Sequence, residues 1–156
     1  MPPRSTGSRK AAADRKIRVL VIDDDVTLGN LLTMLLEKDG YEAVHASSGR
    51  SGLRIAQESS PDAIILDIVM PDMSGYEVCR KLRETTDAVI VFVSVKGSTE
   101  DIIRGLQMGG DDYVVKPYTF AELSNRMLAC LRRRGTGKPP TVLKAAKNLM
   151  LITDPD

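Results

Sequence analysis

Short apolar segments alternate along this chain with amphipathic segments of helical period. The apolar segments lie at residues 17–22, 41–46, 63–66, 88–93 and 112–115. Apart from Arg18, the runs at 17–22, 63–66 and 88–93 carry no polar residue, which is typical of strands buried on both faces, whereas 41–46 alternates. Five strand–helix units in about 115 residues therefore predict an α/β fold with a doubly wound, five-stranded parallel sheet. A ligand site is expected beyond the carboxyl ends of the strands, where the strand order switches.

The helices that follow the strands are marked by leucine spacing and by cap residues. Leucines recur at helical spacing from Leu28 to Leu36, and Gly40 supplies a stop. Ser48 and Ser98 are candidate N-caps, and Pro61 ends the second helix. The remaining helices are predicted at 75–84, 98–108 and 120–131. Each strand is thus predicted to be followed by one helix.

Charge and composition limit the class of protein. Residues 19–131 carry eighteen acidic and ten basic residues, whereas both flanks are basic, so the central body is not expected to bind nucleic acid. No apolar run approaches the ~18 residues of a membrane span, and no signal peptide is evident, so a cytoplasmic protein without a membrane partner is predicted. Cys79 and Cys130 are expected to be buried, reduced thiols.

Four regions are predicted along the chain. Residues 1–16 read as a disordered basic leader and 17–134 as one domain. The segment GTGKPP (135–140) reads as a linker. Residues 141–156, with apolar Leu149, Leu151 and Ile152, read as the start of a truncated second domain.

Polar side chains follow four of the five predicted strands. Asp23 and Asp24 follow the first strand, and Asp67, Ser94 and Lys116 follow the third, fourth and fifth. In a parallel sheet these positions share one edge, so three carboxylates, a hydroxyl and an ammonium are expected in one pocket. Clustered carboxylates require a cation, and oxygen ligands suit Mg²⁺, for which Mn²⁺ could substitute. A carboxylate beside Mg²⁺ and lysine is suited to attack phosphorus and form an aspartyl phosphate.

The motifs that carry these residues are VLVIDD, LDIVMPDMSG, VFVS and YVVKP. Together, over residues 17–134, they make the chain resemble the response-regulator receiver domain of two-component signalling. The resemblance implies a flavodoxin-like sheet of strand order 2-1-3-4-5 with five helices. It also implies a signalling phosphoacceptor, rather than an enzyme, that accepts its phosphoryl group from a sensor histidine kinase and catalyses only its own phosphorylation and dephosphorylation.

Roles for individual residues come from the same resemblance. Asp67 would be the phosphoacceptor. Asp24, Asp67 and the carbonyl of Val69 would bind Mg²⁺ directly, and Asp23 would act through a water. Ser94 would be the switch hydroxyl and Lys116 the phosphate partner. Tyr113 would turn inward on activation, and the Lys116–Pro117 bond would be cis.

Three further positions are interpreted against the family pattern. Asp25 is expected to be an exposed loop carboxylate near the phosphate. Val95 stands where the family usually has a small residue and is expected to slow dephosphorylation. His45, the sole histidine, lies on an alternating strand and is expected to be structural or at the surface, away from the pocket.

The segments RGLQMGGDDYVVKPY and AELSNRMLACLRRR resemble winged-helix regulators of the OmpR/PhoB type. Such proteins form homodimers through the fourth helix, fifth strand and fifth helix, and bind DNA through a C-terminal domain that is missing here. The matching positions are Asp111, Asp112, Glu122, Arg126 and Arg133, for which solvated surface charge is the alternative. Ile102 stands where a basic partner of Glu122 is common.

Other functions remain open at the level of sequence. The motif DDDVT (23–27) also fits haloacid-dehalogenase-type phosphatases, with Ser94, Lys96 and Asp111–Asp112 in supporting roles. That interpretation leaves Asp67 without a role and has no room for a flap after Asp25. A pseudo-receiver that has lost phosphorylation and a stand-alone receiver of a phosphorelay are the remaining alternatives.

Overall fold

The computed structural model describes residues 15–135. The predicted linker after Gly135, the predicted second-domain start and all but two residues of the predicted leader lie outside this range. Within it, strands and helices alternate strictly: β1 Arg18–Ile22, α1 Val26–Lys38, β2 Glu42–Ala46, α2 Gly49–Ser59, β3 Ala63–Asp67, α3 Gly75–Leu82, β4 Val89–Ser94, α4 Thr99–Gln107, β5 Asp112–Val115 and α5 Phe120–Arg133. The five predicted strand–helix units are confirmed.

The five strands form one parallel sheet in the order β2-β1-β3-β4-β5. The strand order switches between β1 and β3, where Ile22 pairs with Leu66. The predicted doubly wound sheet and its strand order are thus confirmed. Asp67 and Ser94 are the last residues of β3 and β4, so the sheet itself fixes their backbone positions.

Two apolar cores cover the two faces of the sheet. On one face, α1 and α5 pack side chains such as Leu36 and Met127 against β1, β3 and β4. On the other face, α2 and α3 contribute Ala56 and Val78, and Phe92 of β4 is fully buried among them. Strands covered on both faces cannot alternate polar and apolar residues, which accounts for the apolar runs in the sequence.

Every helix begins with a side-chain oxygen that accepts a hydrogen bond from the first turn. The N-caps are Asp25, Ser48, Ser74, Ser98 and Thr119. Each such cap contributes about 1 kcal/mol to stability. The predicted caps at Ser48 and Ser98 are confirmed. Gly40 follows α1 with a φ of +96°, which a glycine adopts without steric cost.

Both cysteines are buried and unpaired, as predicted. Burial raises the pKa of each thiol to about 11, so neither is a reactive thiolate at neutral pH. Over the described residues, no helix has the length and apolar character needed to cross a membrane.

Candidate functional site

Three carboxylates meet at the carboxyl edge of the sheet. One oxygen from each of Asp23, Asp24 and Asp67 lies within 4.8 Å of the others. Asp23 and Asp67 are only 1% and 6% exposed, whereas Asp24 faces solvent. Lys116 completes the group, with its Nζ 3.8 Å from Oδ2 of both Asp23 and Asp67. The structure therefore brings together the acidic residues and the lysine that were predicted to share a pocket.

Asp23 is held firmly by its surroundings. Its backbone N–H donates to the Ala46 carbonyl at 3.1 Å, and its Oδ1 accepts from the Asp25 N–H at 2.8 Å. Its Oδ2 is buried without a hydrogen-bond partner in the part of the chain that the structure describes. Buried carboxylate oxygens are normally satisfied. An unsatisfied one beside two more carboxylates fits a hard divalent cation such as Mg²⁺ or Mn²⁺.

The electrostatics of Asp67 also favour a cation. Burial and, to a smaller extent, the negative charge of Asp23 raise the pKa of Asp67 to about 6. Lys116 and the backbone N–H groups of Ile68 and Val69 act in the opposite direction. Lys116 therefore offsets only part of the combined effect of burial and Asp23 on the pKa of Asp67.

The loop after Asp67 is fixed by a close backbone approach. The Gly75 N–H donates to the Ile68 carbonyl at 2.8 Å, and a Cβ on Gly75 would overlap the Asp67 carbonyl. The glycine of LDIVMPDMSG thus lets α3 begin against the end of β3. Farther along the loop, the Asp72 carboxylate accepts from the N–H groups of Gly49 and Arg50 in the first turn of α2, both at 3.0 Å.

Ser94 and Lys116 lie side by side at the ends of β4 and β5. Ser94 is fully buried, and its Oγ accepts from the Lys96 N–H at 3.2 Å. Its carbonyl accepts from the Lys116 N–H at 2.8 Å. The Lys116–Pro117 bond is cis, as predicted. Hydroxyl and ammonium therefore border the carboxylates on one edge, which is the arrangement needed to hold a phosphoryl group.

Tyr113 is directed inward in this structure. Tyr113 as a whole is 6% exposed, and its hydroxyl donates to the Lys96 carbonyl at 2.6 Å. The ring centroid lies 5.9 Å from that of Phe92, which lies 5.7 Å from that of Tyr76. Because the Lys96 N–H also donates to Ser94, one loop residue connects the tyrosine to the Ser94 hydroxyl.

The acidic residues of the expected dimer face are paired within the chain. Arg126 lies 3.3 Å from Asp112 and 3.5 Å from Glu122. Asp111 is bonded to Arg83 at 2.9 Å and to Arg134 at 2.8 Å.

Two other residues belong to the expected dimer face. Arg133 lies 3.1 Å from the sulfur of Cys130. Ile102 packs partly buried against the core cluster that contains Phe92.

Sequence reasoning missed the capping role of one carboxylate and misplaced one histidine. Asp25 is exposed as predicted, but its side chain caps α1 by accepting from the Leu28 N–H at 3.1 Å. His45 does not lie away from the pocket, because its Nε2 is 2.8 Å from the Asp23 carbonyl oxygen. Neither contact follows from strand or helix periodicity.

Sequence reasoning also missed Tyr118. Its hydroxyl is buried, and burial together with the charges of Asp23 and Asp67 raises the pKa of this phenol to about 12. In the sequence, its position directly after Lys116–Pro117 was the feature that could have marked Tyr118 as part of the site.

The chain matches known proteins over this same region. The family model of the response regulator receiver domain matches residues 19–128. The chain is 38% identical over 136 residues to the probable transcriptional regulator ycf27 of Cyanophora paradoxa, which covers 87% of this chain and 57% of that protein. It is 40% identical over 116 residues to the DNA-binding response regulator MtrA of Mycobacterium tuberculosis, with coverages of 74% and 51%. The chain thus spans about half the length of the curated relatives it matches.

A crystal structure of a two-component response regulator from Clostridium difficile superposes with a TM-score of 0.74 at 29% identity, over 78% of this chain and 100% of that one. The phosphatase interpretation of DDDVT is set aside, because α1 begins at Val26 and Asp67 is part of the acidic cluster. On its sequence match, its sheet order and its strand-end residues, the chain belongs to the response-regulator receiver domains, the signalling proteins of two-component systems.

Proposed function

We propose that this chain accepts a phosphoryl group on Asp67 from a sensor histidine kinase, in a cytoplasmic two-component system. The observation that carries the proposal is the position of Asp67, a buried carboxylate 3.8 Å from Lys116 and within 4.8 Å of two further carboxylates. A carboxylate placed beside a lysine and a cation site is equipped for nucleophilic attack on phosphorus.

The acidic cluster would hold Mg²⁺, for which Mn²⁺ could substitute. Asp24, Asp67 and the backbone carbonyl of Val69 are the proposed direct ligands, and Asp23 would act through a water. When bound, the cation neutralises charge on the phosphoryl oxygens. The unsatisfied Oδ2 of Asp23 supports this assignment.

In the transfer, an oxygen of Asp67 forms a bond to phosphorus while the phosphorus–nitrogen bond of the kinase phosphohistidine breaks. The electron pair of that bond leaves with the imidazole nitrogen, and the histidine leaves as a neutral imidazole because its other ring nitrogen carries a proton. Lys116 stabilises negative charge on the transferred group, and the Ser94 hydroxyl donates to one of its oxygens. Hydrolysis of the aspartyl phosphate later restores the carboxylate, so the chain turns over no external substrate beyond its phosphodonor.

Phosphorylation would act through the equilibrium between two arrangements of Ser94 and Tyr113. Tyr113 already points inward and is connected to Ser94 through Lys96. We infer that a phosphoryl group that draws Ser94 toward it would stabilise this inward arrangement rather than create it.

The face formed by α4, β5 and α5 would then pair with a second copy. Asp112, Glu122, Arg126 and Arg133 are the residues proposed to contribute, and Asp111 would have to share its two intramolecular arginine contacts. Because a relative is named as a DNA-binding response regulator, we propose that residues 141–156 begin a DNA-binding domain that regulates transcription.

The test is intact-mass spectrometry after incubation with a small phosphoramidate and Mg²⁺, beside Asp67→Asn and a chelator control. We expect one phosphoryl adduct that requires both Asp67 and the metal. No adduct, under conditions that label another receiver, would favour a pseudo-receiver. An adduct that persists in Asp67→Asn but is lost in Asp23→Asn would restore the phosphatase interpretation.

A further inference from the structure

The chain's sole histidine contacts the backbone of the acidic cluster. His45 lies in β2, and its ring Nε2 is 2.8 Å from the carbonyl oxygen of Asp23. A carbonyl oxygen only accepts hydrogen bonds, so the nitrogen that faces it carries the proton and donates. The imidazole thus reaches from β2 across to the loop between β1 and α1.

Space for this ring is made by a glycine in α1. A Cβ on Gly29 would overlap the Nε2 and Cδ2 atoms of His45. The φ of Gly29 is not positive, so the backbone conformation at this position does not require a glycine. Glycine is a poor residue for a helix interior, where alanine would be more stable. The clearance for His45 is the physical reason the structure offers for Gly29.

With the bond from His45 included, every polar atom of Asp23 except Oδ2 takes part in a hydrogen bond within residues 15–135. The Asp23 N–H donates to Ala46, its carbonyl accepts from His45, and its Oδ1 accepts from the Asp25 N–H. His45 and Ala46, which are consecutive in β2, therefore fix the carbonyl and the N–H of Asp23. The remaining carboxylate oxygen of Asp23, Oδ2, faces the Lys116 ammonium. Rotation of this backbone would move Asp23 and the following Asp24 together.

We propose that His45, accommodated by Gly29, is a positioning residue for the divalent cation site. It fixes the peptide plane between Asp23 and Asp24 and so presents both carboxylates to the cation in one geometry. Hydrogen-bond partners behind metal ligands commonly change metal affinity by tenfold or more. This inference rests on the proposed binding of Mg²⁺ by the acidic cluster.

The test is calorimetric titration of Mg²⁺ into the chelator-treated 156-residue chain. His45→Ala removes the hydrogen bond and is expected to raise the Kd about tenfold. His45→Gln retains an amide donor of similar reach and is expected to restore the Kd to within about threefold of wild type. Gly29→Ala keeps the histidine but displaces its ring, so a weaker Mg²⁺ affinity is expected even though alanine is the better helix former.

Two controls separate positioning from mere packing. Val44→Ala shortens a half-exposed side chain of the same strand and is expected to leave the Kd unchanged. The Tm of every variant is measured in chelator, where a purely structural His45 would lower the Tm without changing the Kd.

Equal Mg²⁺ affinity in the wild type, His45→Ala and Gly29→Ala would overturn the inference alone. A wild-type chain that binds no Mg²⁺ would overturn the metal part of the proposed function and this inference with it. If His45→Ala does not fold, Gly29→Ala and His45→Gln decide the question between them.

Discussion

At the scale of single residues, the surroundings of Asp67 determine how readily its carboxyl group ionises. Burial and the charge of Asp23 disfavour its ionised form, as the raised pKa of about 6 records. A carboxylate with a folded pKa above its unfolded value binds protons more readily in the folded chain. Asp67 therefore contributes to the free energy of unfolding at low pH, and this contribution is lost as the pH rises through the pKa that Asp67 has in the folded state.

We expect Asp67→Asn to stabilise the metal-free chain at pH 7, because it removes a buried charge while keeping the shape of the side chain. The difference in Tm between Asp67→Asn and wild type should shrink when the pH is lowered to 5, where wild-type Asp67 is largely protonated. Thermal unfolding in chelator at both pH values measures this. The same Tm difference at both pH values would contradict the raised pKa.

Val95 is the exposed neighbour of a fully buried site residue. Its side chain is 71% exposed, directly after Ser94. A branched side chain at this position would hinder the approach of water to a phosphoryl group on Asp67. We expect Val95→Ala to lose the phosphoryl group faster while changing the free energy of unfolding by less than about 0.5 kcal/mol. Equal lifetimes of the two phosphoproteins, followed by intact mass over time, would refute this role.

At the scale of elements, the loop between β3 and α3 is attached to the start of α2 by Asp72. Two backbone N–H groups of α2 donate to this carboxylate, and they hold the pKa of Asp72 below its usual range. The interaction also complements the partial positive charge of the helix N-terminus. The loop that follows Asp67 is thus anchored by a contact that is independent of the acidic cluster.

Loss of this contact in Asp72→Ala should destabilise the chain by about 1 kcal/mol at neutral pH. Asp72→Asn keeps one acceptor oxygen and should lose less. The pKa of Asp72 is lower in the folded chain than in the unfolded chain. The stabilisation by Asp72 is therefore present above its pKa in the unfolded chain and disappears as the pH falls through its pKa in the folded chain. Urea denaturation at neutral and acidic pH measures both effects. A neutral-pH stability of Asp72→Ala equal to that of the wild type would contradict the anchor.

The elements could be predicted from the sequence, but the contacts between their loops could not. The apolar runs and the caps at Ser48 and Ser98 are local patterns with a known period or position. The bonds from His45 to Asp23 and from Asp72 to α2 join a side chain to backbone far along the chain. Such contacts depend on sheet order and register and leave no periodic signal. The inward Tyr113 likewise follows from its packing against Phe92.

At the scale of the whole molecule, a second charged network lies at the sheet edge opposite the site. Asp111 accepts from Arg83, from Arg134 and from the Ile90 N–H. Arg83 also donates to the carbonyls of Ala88 and Gly109. One partly buried carboxylate thus joins α3, β4, the turn before β5 and the end of α5.

We expect Asp111→Ala to reduce the free energy of unfolding by about 2–3 kcal/mol, because Arg83 and the Ile90 N–H would lose their shared partner. Glu84→Ala, which removes an exposed pair with Arg80, should change it by less than about 0.5 kcal/mol. Urea denaturation compares the two variants, and equal losses would show that the network is dispensable. Labelling of Asp67 by phosphoramidate should be unchanged in both, since the two edges of the sheet are separate.

The contacts of Arg134 have a mechanical consequence. Helix ends usually fray, but here the guanidinium ties the end of α5 to Asp111 and to the Asp87 carbonyl. The last turn cannot rotate without breaking these bonds, so the end of α5 is held to residues that lie just before β4 and β5. Gly135, which directly follows Arg134, has a φ of +69°, a left-handed conformation that glycine adopts without steric cost.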